Sequence, residues 1–343
     1  MRLSRKIAAS GGALALAAIP HIASAHVKWF CAYDVAGQPD GLENVLCTNF
    51  ELLTGLSLVL LCVGFLVERT LIGRFLLWLL DLTTGLLRQQ TDKLIRATCG
   101  MFFVALWTAG GIILTPELKT TLGFVPWLQL AIAGCLIWRR TLPIAALGIV
   151  FLYALAVRNY GVFHLMDYPI FLGVAVYLAL TGLRRSAFGM RPLDVVRWAA
   201  AITLMWASVE KWAYPEWSYP LFATHPDMGM GFDPQFMMQA AGAVEFALAF
   251  ALICTPLVRR VAAIILIFLF TSAVFEFGKI DAIGHSVIIV MLVAFVADDA
   301  RPKAQHLAWR PFLTPTIGYV TALAGFVFAY YEAHAAMFGT TFF

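Results

Sequence analysis

The chain has 343 residues, 61% of them hydrophobic and only 13% charged, with a formal net charge of +4 at pH 7. So few charges cannot coat a soluble globule of this size, and lipid is the expected solvent for most of its surface. Runs such as Val261 to Phe270 are apolar on every face rather than alternating, which argues against a transmembrane barrel and for helices.

Read in chain order, Arg2, Arg5 and Lys6 precede an Ala/Gly/Leu-rich stretch that ends in Ala23-Ser24-Ala25. Residues 1–25 are therefore expected to be a cleaved signal peptide, leaving His26 as the mature N-terminus. Residues 26–95 are expected to hold a periplasmic segment, a first span and an interfacial helix. That helix lies between Thr70 and Lys93, where Leu71, Phe75, Leu76, Leu79 and Leu80 recur on helical spacing. Ten apolar segments are candidate spans, centred near Val59, Val104, Ala131, Ile149, Val176, Thr203, Ala249, Phe268, Val290 and Ala324.

The basic residues choose the orientation. Arg69, Arg74, Arg88, Lys93, Arg96, Arg139, Arg140, Arg184, Arg185, Arg191, Arg197, Arg259, Arg260, Arg301, Lys303 and Arg310 all fall to one side, and only Lys28, Lys119, Arg158, Lys211 and Lys279 to the other. Under the positive-inside rule this predicts an all-α, polytopic bundle of a bacterial-type inner membrane with both mature ends periplasmic. The last span and tail occupy 311–343.

Residues 96–183 and 197–297 share one plan: a helix entered by Arg, a second ending at Arg-Arg, a third directly after it, and a fourth opening with Gly. Arg139-Arg140 matches Arg259-Arg260, and Tyr160-Gly161 matches Phe277-Gly278. Four helices per unit would make these parallel repeats. Where the second carries Glu210-Lys211 and Glu245, the first has Ala109-Gly110 and Val125 or an apolar neighbour, so the second is the expected working half.

The second half resembles the DoxX-like membrane proteins, a four-helix family that includes a DoxD-type subunit linked to thiosulfate:quinone oxidoreduction. The resemblance rests on Trp206-Ala-Ser-Val-Glu-Lys211, Gly242-Ala-Val-Glu245, Arg259-Arg260 and Gly278-Lys-Ile-Asp281-Ala-Ile-Gly-His285. It covers about a hundred residues and implies a four-helix unit with a redox or quinone-linked role.

Glu245 sits deep in its span, where a lone carboxylate would protonate unless paired, and Lys211 is long enough to reach it. Glu210, Glu276, Asp281 and His285 are expected at the same level or above, together with Lys279. These groups read either as an ion-pair cluster that glues the helices, or as a proton or quinone-headgroup site in which His285 and Glu245 exchange protons. A transporter with a polar path past Glu245 and Lys211, and a non-catalytic assembly subunit, are the competing readings of the whole chain.

The outer loop reads His225-Pro-Asp-Met228-Gly-Met230. Imidazole and thioether suit copper, and His26 as a free N-terminus would add an amine and a ring nitrogen, making copper the candidate cofactor. The competing reading packs these methionines beside Trp212, Tyr214, Trp217 and Tyr219 in an interfacial aromatic belt. Cys31 and Cys47 are candidates for a disulfide, while Cys62, Cys99, Cys135 and Cys254 read as small apolar packers. No haem-attachment, Walker or Rossmann motif is present. The expected partners are the lipid bilayer and a quinone or membrane redox protein; nothing points to nucleic acid.

Overall fold

The structure is a computed structural model, and it describes residues 27–187, 189–300 and 313–341. The predicted signal peptide, His26, Arg301, Lys303, His306 and Arg310 lie outside the described residues. The fold is all-α, with no strand among the described residues. The long helices are α1 (Thr48–Arg69), α2 (Leu71–Thr83), α3 (Gly85–Ala109), α4 (Phe124–Cys135), α5 (Leu142–Tyr160), α6 (Pro169–Leu183), α7 (Pro192–Ala213), α8 (Pro234–Ala251), α9 (Pro256–Phe277), α10 (Lys279–Ala297) and α11 (Leu313–Phe338).

Local chemistry sets many of these limits. Pro169, Pro192, Pro234 and Pro256 open helices where no N–H is missed. Gly161 and Gly278 close α5 and α9 at φ of 85° and 71°, a conformation that a residue with a Cβ rarely adopts.

Among the described residues four stretches are long and apolar enough to cross a membrane: Thr48–Arg69, Arg139–Tyr160, Pro256–Phe277 and Lys279–Ala297. They mark the chain as membrane-type. The segments expected to span near Ala131 and Val176 form helices of only 12 and 15 residues. At 1.5 Å per residue these reach about 18 and 22 Å, short of a hydrocarbon core of roughly 30 Å. Before α4 the chain packs its missing length as a buried turn, with Ile113, Leu114 and Leu118 fully enclosed and Ile112 bridged to Lys119.

Helices α3 to α10 each pack on the next, and α10 packs back on α3, so eight helices close a ring. α1 and α11 flank it outside α7 and α8. One continuous core fills the ring, from Ile95 and Phe103 through Leu178 and Phe246 to Leu292 and Phe295. The outward faces carry exposed Leu60, Leu147, Ile264, Phe268 and Phe328, a surface suited to lipid. The expected interfacial helix is α2: Gly73 and Leu77 face the protein, while Leu71, Ile72, Phe75, Trp78 and Leu82 are exposed. The polar residues after it belong to the first turns of α3.

The ends of the helices sort to two poles. At one, Arg96 and Arg139 share Asp92, and Arg191, Arg197 and Arg259 gather on Asp298. Burial alone would raise the Asp298 carboxyl, and Arg191 and Arg259 hold it below the usual range. Arg259 and Arg260, expected in an inward loop, instead lie in the first turns of α9 and are 3% and 1% exposed. Arg260 is satisfied by Asp81 at 2.6 Å, Thr84 at 3.0 Å and the Val296 carbonyl at 2.7 Å, which tie α2 to the ring. At the other pole Cys31 and Cys47 are both free thiols, not the expected disulfide. Gln239 donates to the Cys47 sulfur at 3.3 Å, which occupies that thiol locally.

Candidate functional site

The N-terminal segment roofs the pole opposite the arginines. Its carbonyls at Val35, Gly37 and Asp40 take hydrogen bonds from His334, Tyr214 and Tyr331, and the Asp40 N–H donates to the Ala213 carbonyl. From this roof Lys28 turns inward. Its ammonium is 4% exposed and lies 2.5 Å from Asp167 Oδ2, before α6, and 2.5 Å from Glu210 Oε2, in the last turn of α7. The rings of Tyr33 and Trp217 stand 5.6 and 5.4 Å away. Burial by itself would lower the Lys28 ammonium, but the Asp167 and Glu210 carboxylates outweigh it and hold the group above its ordinary value.

Beneath Lys28 lies a cavity of about 120 Å³. That is comparable to an apolar cavity of about 150 Å³ that accepts a benzene ring. Its walls include Trp29, Phe171, Tyr214, Phe222, Phe270, Met228, Met237 and Met238, and its polar groups are Asp167, Glu210, Lys211, Glu245 and His285. Lys211 Nζ meets Glu245 Oε2 at 2.7 Å. Glu245 stands eleven residues into α8, about 16 Å from the start of the helix.

Asp281 and His285 are one turn apart on α10, so both project from the same face, and Asp281 Oδ2 lies 2.8 Å from His285 Nδ1. A carboxylate on Nδ1 favours the tautomer with its proton there and leaves Nε2 as the acceptor toward the cavity. The imidazole is held between Trp29 and Phe270, each with its ring centre 4.7 Å away. Trp29 reaches this position because residue 284 is glycine: a Cβ there would stand 2.0 Å from the Trp29 ring.

Of the residues that the sequence nominated, Glu210, Lys211, Glu245, Asp281 and His285 come together. Glu276 does not. It is exposed on the outer surface with its carboxylate 3.8 Å from His225 Nε2, and Lys279 is exposed beside it. Of the copper set, His26 lies outside the described residues. His225 Nδ1 pairs with Thr224 Oγ1 at 2.9 Å, Met228 packs with Ala273, Phe222 and Phe277, and Met230 occupies a left-handed turn at φ 47°. Among the described residues no three His, Cys, Asp or Glu side chains are grouped to hold a metal.

The sequence reading missed Lys28, Asp167, Glu117 and His164. The last two lie behind Asp167: His164 Nε2 is 3.8 Å from Glu117 Oε1, and Tyr168 donates to the same oxygen. Lys28 directly follows the predicted cleavage region and so reads as a tail residue, while Asp167 stands in a loop. Only the depth of their burial reveals them.

The ring with its buried polar pole defines a membrane-type helical protein with a cavity lined by buried ionisable groups. No family model matches the sequence, and no curated protein or solved structure matches it either. The site's own chemistry therefore carries the functional argument.

Proposed function

We propose that this is a DoxX-like protein of a bacterial-type inner membrane whose cavity, at the periplasmic end, binds the headgroup of a quinone or quinol and exchanges protons with it. The observation that carries this reading is His285, an imidazole fixed by Asp281, clamped by two aromatic rings and facing a cavity the size of one ring. A bound quinol would supply two electrons and two protons, the electrons passing to a membrane redox partner. His285, which lines the cavity, accepts one hydroxyl proton at Nε2 and the Glu245 carboxylate the other, and Asp281 stabilises the imidazolium that results. Trp29 and Phe270 orient a flat ligand by stacking, while the methionines offer an adaptable apolar wall.

The ten-span, parallel-repeat topology belongs to the same proposal. It is supported by the basic loops, by the ring order in which α3 to α6 and then α7 to α10 repeat one packing sequence, and by Gly161 and Gly278 ending the third helix of each half. The apolar core between the cavity and the arginine pole counts against a continuous transport path. A copper-linked variant would need His225, Met228 and Met230 to converge, and Met228 is committed to an apolar cluster.

The test is titration of the purified protein with a short-tailed benzoquinone, followed by tryptophan fluorescence. Saturable quenching that is lost in His285→Ala and kept in Glu276→Gln is expected. Quenching that is unsaturable, or equal in the His285 variant, would overturn the quinone reading.

A further inference from the structure

Among the described residues, the buried charges at this pole do not balance. Glu117, Asp167, Glu210, Glu245 and Asp281 are five carboxylates, set against two lysines, Lys28 and Lys211, and two histidines, His164 and His285. Even with both imidazoles charged, one negative charge is left over. An uncompensated carboxylate in a dry site is costly, and the protein escapes that cost by keeping a proton.

The geometry says where the proton belongs. Glu245 is bonded to Lys211 at 2.7 Å, Asp281 has His285 at 2.8 Å, and Glu117 has His164 at 3.8 Å with the Tyr168 hydroxyl as donor. Asp167 and Glu210 alone must share one ammonium. Each lies 2.5 Å from Lys28 Nζ, so the two bonded oxygens are no more than about 5 Å apart, and each negative charge raises the proton affinity of the other carboxyl. The second oxygen of Asp167 is buried with no hydrogen-bond partner, as are those of Glu117 and Asp281, so it is the shared ammonium that singles out this pair. The Tyr33 and Trp217 rings around Lys28 carry no positive charge, and Lys211, bonded to Glu245, reaches Glu210 only through its field.

We infer that Asp167 and Glu210 share one proton across Lys28, forming a proton-loading site at the seam between the two halves of the ring. Asp167 lies just before α6 and Glu210 in the last turn of α7, so the proton is held where the halves meet. The cavity is lined by both carboxyls, and a ligand entering it finds one acid and one carboxylate already in place. This inference rests on charge balance and stands whether or not the ligand is a quinone.

Infrared spectroscopy of the full chain in nanodiscs tests it through the C=O stretch of protonated carboxyls. Wild type at pH 7 should show such a band equivalent to one buried acid. It should vanish in Asp167→Asn and in Glu210→Gln, because the remaining carboxylate then has Lys28 to itself. In Lys28→Met it should grow about twofold, both acids being protonated once the ammonium is gone. Wild type alone suffices if a variant does not fold: absence of the band at pH 7 overturns the proposal. So does a band that survives both carboxyl substitutions, or a missing band together with saturable uptake of a monovalent cation. Failure of benzoquinone binding would leave this result untouched, so the two readings fail separately.

Discussion

Replacing Lys28 by methionine keeps most of the side-chain volume and removes one charge from between two buried carboxylates. Removing one partner of a buried ion pair typically costs about 3–5 kcal/mol, since the stranded charge is what destabilises. Here the variant can lower the penalty by protonating Asp167 and Glu210, so a loss near the bottom of that range, about 3 kcal/mol, is expected at neutral pH. The loss should shrink as pH falls, because the folded variant must hold an extra proton on this pair and taking it up costs less in acid. Lys28 itself has its value raised in the folded state, so the stability it contributes is complete below 10.5, the ordinary lysine value, and is lost only as pH climbs beyond that. The gap between wild type and variant should therefore be widest from neutral to mildly alkaline pH and close on both sides. Thermal unfolding in detergent, read by a thiol-reactive dye in a background with the other five cysteines replaced, is a suitable assay, because Cys99 is 1% exposed and reports opening of the ring. Adding Asp167→Asn and Glu210→Gln to Lys28→Met should recover most of the loss. Equal stability of wild type and Lys28→Met at pH 7, or a larger loss in acid, would refute the argument.

Gly284→Ala should expel Trp29 from its seat, costing about 1–3 kcal/mol as overpacking does, with a red shift of tryptophan emission; unchanged emission would show that the ring does not rest there. Lys211→Leu should lower thermal stability more than Glu245→Gln, which mimics the protonated acid; equal stability of wild type and Lys211→Leu would mean that the 2.7 Å pair contributes nothing. Reporter fusions after Lys93, Arg140, Arg185 and Arg260 should score as cytoplasmic and those near Lys119, Asp167 and Pro226 as periplasmic, and a periplasmic signal at Arg185 would remove a span along with the repeat assignment.

Apolar period and loop chemistry made much of the architecture legible: α2 fell where Leu71, Phe75 and Leu79 marked an amphipathic face, and Gly161 and Gly278 stood where helices stop. The shortness of α4 was hidden because Ile112 to Leu118, which pack as a buried turn, are as apolar as a span. Arg259 and Arg260 read as loop residues because a sequence shows charge and not its partners; Asp81 and Asp298 lie far along the chain. The half of the site that recurs at helical spacing, Asp281 with His285, could be read locally. Lys28 and Asp167 could not, since their meaning depends on three segments converging. Glu276 misled for the opposite reason: it is near His285 in sequence, yet it lies on the outer surface at the last turn of α9.

The seat of Lys28 also sets an order of events during synthesis. Its partner Glu210 is 182 residues further along the chain, and Asp167 is 139. At about 5–20 residues per second, roughly 10 to 35 seconds separate the emergence of the lysine from that of its second carboxylate. The roof segment is thus among the first parts of the described chain to leave the ribosome and among the last to dock. A chain stalled before α7 would hold Lys28 on a single carboxylate, with no cavity beneath it, and the closing of the roof would report that the second half of the ring has arrived.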